Sequence, residues 1–160
     1  MEPDYLKTLE YLGMTARVKR LSDNLFYSIR KLYQEMDIDI EPSWHLVFLI
    51  LKEQGEVGML DFANILNLSK PAVTKMIRKM EDMGYVQMGS DPSDSRRKLV
   101  SLSSKAEQRL PQFESVWDAG QLAVQQLLET NPHFMGALEL LEQQLEEQNF
   151  CDRAIKNIHT

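Results

Sequence analysis

The side chains best placed to do chemistry in this chain are cations and hydroxyls, not nucleophiles or metal ligands. Lys70, Thr74, Lys75, Arg78 and Lys79 recur at spacings that put them on one side of a helix, and Arg96-Arg97-Lys98 follows as an unbroken basic run. Such groups hold anions by charge and hydrogen bonding. A row of them at helical spacing suits a repeating anion such as a nucleic-acid backbone, whose base edges hydroxyls and amines can read. Catalysis has no comparable signature. His45, His133 and His159 do not fall in a metal-ligand spacing such as His-Glu-x-x-His, there is no glycine-rich phosphate loop, and no nucleophile can be paired with a base. The single cysteine, Cys151, allows neither an internal disulfide nor a cysteine-rich zinc site, and reads as an inert thiol near the C-terminus. No enzyme, no metal and no cofactor is expected.

Those cations need a scaffold, and the stretch from Val57 to Leu102 supplies one. A short helix over Leu60 to Leu66 has Leu60, Ala63 and Leu66 on one face, and Asn67-Leu68-Ser69 forms a turn. A second helix runs from about Lys70 to Met83. Ser69 suits its N-cap, since a serine oxygen accepts an orphaned backbone N–H, and Pro71 falls in the first turn, where a missing N–H costs least. Val73, Met76, Ile77 and Met80 give this helix a buried side opposite its cations. Gly84 ends it. Tyr85-Val86-Gln87-Met88, a polar tip from Gly89 to Ser95, and Arg96 to Leu102 then read as a β-hairpin with a basic edge. Val57 could complete a small sheet with that hairpin.

Charge distribution supports a directed contact. The 160 residues carry a net charge of −6, which argues against a blanket polyanion binder. Residues 69–98 nevertheless hold seven Lys/Arg against four Asp/Glu, while the segments on either side are both acidic. One face would meet the polyanion and the rest would repel it. The bland alternative is a solvated surface on an acidic protein, and the helix-turn-helix pattern counts against it. No apolar run approaches the roughly 18 residues of a membrane span, and no apolar signal segment opens the chain. A cytoplasmic protein without a membrane partner is the expectation.

The flanks are helical. Tyr5, Leu6, Leu9 and Leu12 suit a helical turn or two. Met14, Val18, Leu21, Leu25, Ile29, Leu32 and Met36 are spaced for a long amphipathic helix from Met14 to Met36, widened by Phe26 and Tyr33. A further helix from about Pro42 to Gln54 is apolar on nearly every side; Trp44 reads as packing and His45 as a partly exposed helix residue. Ser103 or Ser104 is an N-cap, with Glu107 in capping-box position after Ser104. The next helix could run to about Thr130 through Pro111, which could kink it. A last one runs from Pro132 to about Gln148, extended or followed by a turn holding Ala154, Ile155 and Ile158. These terminal helices have more apolar surface than one small winged region needs, which points to a homodimer joined through both chain ends. Its two basic helices would then reach successive major grooves about 34–36 Å apart on a pseudo-palindromic site. The fold class expected is mainly α with a small β-hairpin wing: a winged helix-turn-helix over 42–102, with dimerisation helices over 14–36 and 104–158, in a single domain of residues 1–160.

The run Asp91-Pro92-Ser93-Asp94-Ser95-Arg96, followed by Leu99-Val100-Ser101-Leu102-Ser103, resembles the wing signature of the MarR family of bacterial transcriptional regulators. Leu68-Ser69-Lys70-Pro71-Ala72-Val73-Thr74 and Met80-Glu81-Asp82-Met83-Gly84-Tyr85-Val86 resemble its recognition helix and the exit from it. The resemblance extends over nearly the whole chain. It implies an obligate dimer on double-stranded promoter DNA, usually as a repressor, with Arg96 reaching the minor groove from the wing and Asp94 fixing the wing by pairing with Arg96 or Arg97. Lys98 completes the basic edge. The family's major-groove contacts map onto Ser69, Lys70, Ala72, Thr74, Lys75 and Arg78. Of these, Thr74 and Lys75 could reach bases, while Ser69 and Arg78 suit phosphates. Pro71 and Ala72 stand where the family is often polar, Ser103 where it usually has Thr, and Ala106 where it often has Gly. The first long helix lacks the cysteine of the family's peroxide sensors. Many members bind a small aromatic effector between the dimer helices and the winged region. The residues here that could line such a cleft are Tyr11, Met14, Tyr27, Trp44, His45, Phe48 and Trp117. The competing reading is a winged-helix protein-interaction module that binds no operator.

Overall fold

A computed structural model describes residues 3–94 and 96–158. Ser95, in the wing tip, and His159 lie outside them. The chain divides into two compact units, Met1–Val116 and Trp117–Thr160.

The first unit begins with α1 (Tyr5–Thr8), a one-turn 3-10 helix (Glu10–Gly13) and α2 (Met14–Glu35). A connector and a second 3-10 turn (Pro42–Trp44) lead into α3 (His45–Gln54), β1 (Glu56–Gly58), α4 (Met59–Ile65) and α5 (Lys70–Asp82). The hairpin β2 (Val86–Ser90) and β3 (Lys98–Leu102) follows, then α6 (Ser104–Leu128), within which the two units divide. The sheet is antiparallel in the order β1-β3-β2. Val57 thus does complete a small sheet: it pairs with Val100, which pairs on its other side with Met88. Val100 is fully buried because it faces the core from the middle strand.

That core is built by α3, α4, α5, the sheet and the start of α6. Val47, Phe48, Phe62, Val73, Ile77, Met80, Tyr85, Val100, Ala106 and Phe113 have no exposed surface. Four of its aromatic rings meet edge to face or tilted: Phe48 lies 5.5 Å from Phe113 and 5.7 Å from Tyr85, Tyr85 lies 5.8 Å from Phe113, and Trp44 lies 6.3 Å from Tyr85. Two expected faces differ. α4 starts one residue early and buries Phe62 and Ala63, leaving Leu60 56% exposed. α3 buries Val47, Phe48 and Leu51 but leaves Leu46 and Leu49 exposed, so it is one-sided within the chain.

Helix ends follow local chemistry. α2, α4 and α5 each end in one left-handed residue, Asp37, Asn67 and Gly84. The next N–H returns to the helix in each case: Ile38 to the Tyr33 carbonyl, Leu68 to Ala63 and Tyr85 to Met80, at 2.8–3.0 Å. That closure satisfies the last carbonyls and turns the chain sharply. At α6 the cap is Ser103, not Ser104. Its Oγ accepts the Ala106 N–H at 3.1 Å and donates to the Gly84 carbonyl at 2.6 Å, so one hydroxyl starts α6 and fastens the end of α5. The helix continues past Pro111 to Leu128.

In the second unit, α7 (Phe134–Glu147) and α8 (Phe150–Ile158) are separate helices. Gln148 is extended between them, Asn149 accepts the Asp152 N–H at 2.9 Å, and Arg153 donates to the Gln144 and Gln148 carbonyls. Neither helix has a buried residue. Among the described residues, no helix is long and apolar enough to cross a membrane.

Candidate nucleic-acid interface

α5 sets out the expected cations. Ser69 caps it, its Oγ accepting the Ala72 N–H at 3.4 Å, and Pro71 occupies the first turn. Val73, Ile77 and Met80 are fully buried and lock one side of the helix to the core; Met76 is half-buried beside them. With the helix held from behind, Lys70, Ala72, Lys75 and Arg78 face solvent and Thr74 is half-exposed. Lys70, Thr74, Lys75 and Arg78 line one shallow hollow along the helix. Thr74 and Arg78 also line a second, between α5 and the wing, with Ser90 and Lys98. Among the described residues, Lys70, Lys75 and Arg78 have no acidic group within 4 Å.

The wing divides its three cations among different tasks. Arg96 is 93% exposed and, among the described residues, its side chain makes one long contact, 3.4 Å, with Asp94. Arg97 is latched: its guanidinium spans Asp61 on α4 at 2.7 Å and Asp91 at the end of β2 at 3.3 Å. Lys98 donates to the Ser90 hydroxyl at 3.1 Å across the last register pair of the hairpin. Asp94 works locally, accepting the Arg96 N–H at 3.0 Å, while its carbonyl accepts the Arg97 N–H. The carboxylates that tie the wing to the helices are therefore on Arg97, and sequence reasoning named neither Asp61 nor Asp91 for this role. The Ser93 hydroxyl and N–H on Asp91, with Arg97 beside it, hold its carboxyl below the usual range. Gly58 gives this latch room: a Cβ there would come within 2.6 Å of the Asp61 carboxylate and 3.0 Å of Arg97 Nε.

Within the first unit the aromatic candidates fall in different places. Trp44 and Phe48 fill the core. His45 is half-buried and donates from Nδ1 to the Pro42 carbonyl at 2.7 Å. Tyr11 and Met14 line an open hollow with Val18, Leu21, Arg17 and Arg20. Tyr27 is 72% exposed on α2, and Trp117 belongs to the second unit, where it is half-buried. Cys151 is exposed. Among the described residues no cluster of His, Cys, Asp and Glu could hold a metal.

A three-stranded sheet, a buried-back helix with an exposed basic front, and a hairpin beside it define a winged helix-turn-helix protein. The MarR family pattern matches residues 40–98, which hold α3 to β2 and the tip of the hairpin but stop at the first residue of β3. The solved structures agree in fold. S. aureus MepR in complex with DNA superposes with a TM-score of 0.68 at 21% identity, over 91% of this chain and 99% of that one. A mutant of E. coli MarR complexed with operator DNA gives 0.64 at 19%, over 89% and 99%. Reduced AbfR bound to DNA gives 0.63 at 25%, over 89% and 96%. No curated protein matches the chain by sequence. Over residues 40–98 the chain is thus similar to the MarR family, and over most of its length it has the winged helix-turn-helix fold of the solved structures.

Proposed function

We propose that this protein binds a pseudo-palindromic promoter site as a homodimer and represses from it. The carrying observation is the basic front of α5: among the described residues Lys70, Lys75 and Arg78 form no ion pair within 4 Å, while the same helix is immobilised by three fully buried side chains. Charges left unneutralised on a rigid support suit phosphates and base edges. Ser69 and Arg78 would hold phosphates, Thr74 and Lys75 would reach bases, with Ala72 between them against a thymine methyl. Arg96 would enter the minor groove, whose narrow stretches attract cations. Lys98 would stand beside a phosphate. Asp94 shapes the turn that presents Arg96.

A second copy would cover the apolar side of α2, where Val18, Leu21, Leu25 and Ile29 are 37–55% exposed, and the uncovered apolar residues of α7 and α8. That MepR, MarR and AbfR, which share this fold, are solved in complex with DNA supports the DNA-binding part of this reading. An aromatic effector would have to use the hollow beneath Tyr11 and Met14, since Trp44 and Phe48 are committed to the core.

The test compares neighbouring arginines. On a duplex selected by the purified protein from a random library, Arg96→Ala should weaken binding and lower the salt slope by about one unit without changing thermal stability. Arg97→Ala should lower the wing's order, and Asp61→Asn should reproduce its effect. Failure of the wild-type protein to select any duplex would leave the protein-interaction reading in its place.

A further inference from the structure

The segment joining α2 to α3 has a construction that the DNA contacts do not require. Residues 37–41 alternate: Ile38 and Ile40 are 6% exposed and face the core, while Asp39 and Glu41 turn outward. The α2 end of the segment is held by α6, because Arg109 donates to the Asp37 carbonyl at 2.9 Å and Gln112 to the Met36 carbonyl at 3.1 Å. Asp39 accepts a hydrogen bond from the Tyr85 hydroxyl and lies 3.7 Å from both Lys105 and Arg109. Glu41 reaches the other way. One carboxylate oxygen takes Lys79 of α5 at 2.8 Å, and the second lies 3.5 Å from Arg30 of α2. Lys79 also lies 5.9 Å above the Trp44 ring.

Lys79 therefore differs from its neighbours on α5. Among the described residues Lys75 and Arg78 form no ion pair, whereas Lys79 is engaged by the Glu41 carboxylate of the connector and by the face of Trp44 in the turn after it. We propose that Glu41 is a positioning residue: with Lys79 and Arg30 it forms a strut that fixes the C-terminal turn of α5 against α2, so that the pose of the DNA-reading helix follows the helix on which the second copy docks. This rests on the DNA-binding reading above and adds a route between the two surfaces. A strut of this kind changes which geometry of DNA is read, not how much charge meets the backbone. Its loss should appear in the ratio of specific to non-specific affinity.

The experiment measures binding of full-length protein to the duplex selected by the wild type and to a scrambled duplex of the same composition, over a range of salt. Glu41→Gln should weaken the selected complex about tenfold, leave the scrambled complex and the salt slope unchanged, and leave helical content intact. Lys79→Gln should do the same, and the double variant should be no worse than either single, as expected for two residues acting through one contact. Two results would overturn the proposal. One is wild-type discrimination in Glu41→Gln. The other is a Lys79→Gln variant that loses affinity equally for both duplexes with a shallower salt slope, which would make Lys79 a direct phosphate contact. Should Glu41→Gln misfold, Lys79→Gln still decides between these outcomes. A wild type that prefers no duplex would instead refute the DNA-binding reading itself.

Discussion

α5 and α2 carry the same signal in sequence and different fates in structure. Both have apolar residues at helical spacing and cations on the remaining surface. In α5 the apolar side, Val73, Ile77 and Met80, is wholly buried by the chain's own core. In α2 only Tyr33 is buried, and Val18, Leu21, Leu25 and Ile29 remain exposed. Amphipathic spacing shows that a face will be covered and does not say by what. The short helix–turn–helix and wing bring partners to α5 from within the chain. α2 receives no such cover within its own unit, and most of its apolar face stays exposed.

Truncations separate the two helices most strongly. Ile77→Ala should destabilise the winged unit by roughly 2–5 kcal/mol, as expected for a cavity in a packed core, read by chemical denaturation. Leu25→Ala should change that transition far less and instead raise the dimer dissociation constant in sedimentation. Equal losses of stability from the two changes would break the contrast.

Acid should act next, on the connection between the helices. The hydrogen bond from Lys79 holds the Glu41 carboxyl below its usual value. For Asp39, burial pushes upward, but the Tyr85 hydroxyl, with Lys105 and Arg109, brings the net shift downward. A carboxyl lowered in the folded state contributes stability that is fully present above its ordinary pKa, about 4, and is lost as pH falls through the folded value. Stability should thus decline below about pH 4 more steeply in the wild type than in Asp39→Asn or Glu41→Gln, by thermal melts across pH. Parallel curves would show that these carboxylates do not stabilise the fold.

The smallest effect concerns the turn leading into α5. Asn67 adopts φ +49°, a left-handed conformation that glycine reaches without a Cβ penalty. Asn67→Gly should leave DNA binding unchanged and shift stability by no more than ~1 kcal/mol, measured by the same denaturation.

Much of the site was legible because its logic is local. Ser69 caps, Pro71 starts a helix, the Val73–Ile77–Met80 seam names the buried side, and the cations opposite follow by elimination. What escaped was long-range pairing. Asp61 and Arg97 are 36 residues apart, Glu41 and Lys79 are 38 apart, and Asp39 and Tyr85 are 46 apart. No spacing rule connects them, because the chain path between them sets the distance. The same ignorance made Arg96 and Arg97 look interchangeable, although one is almost fully exposed with a long contact to its neighbour Asp94 and the other is latched to α4.

Sequence by itself determined the order of the helices and, for α5, where it starts and ends, which side of it is apolar, and that a basic hairpin follows it, since capping, periodicity and turn chemistry act over a few residues. Tertiary structure alone decided which cations remain available to a phosphate and which are neutralised at home. Electrostatic pairing depends on separation in space, and only the folded path brings Asp61, Asp91 and Glu41 to the cations they occupy.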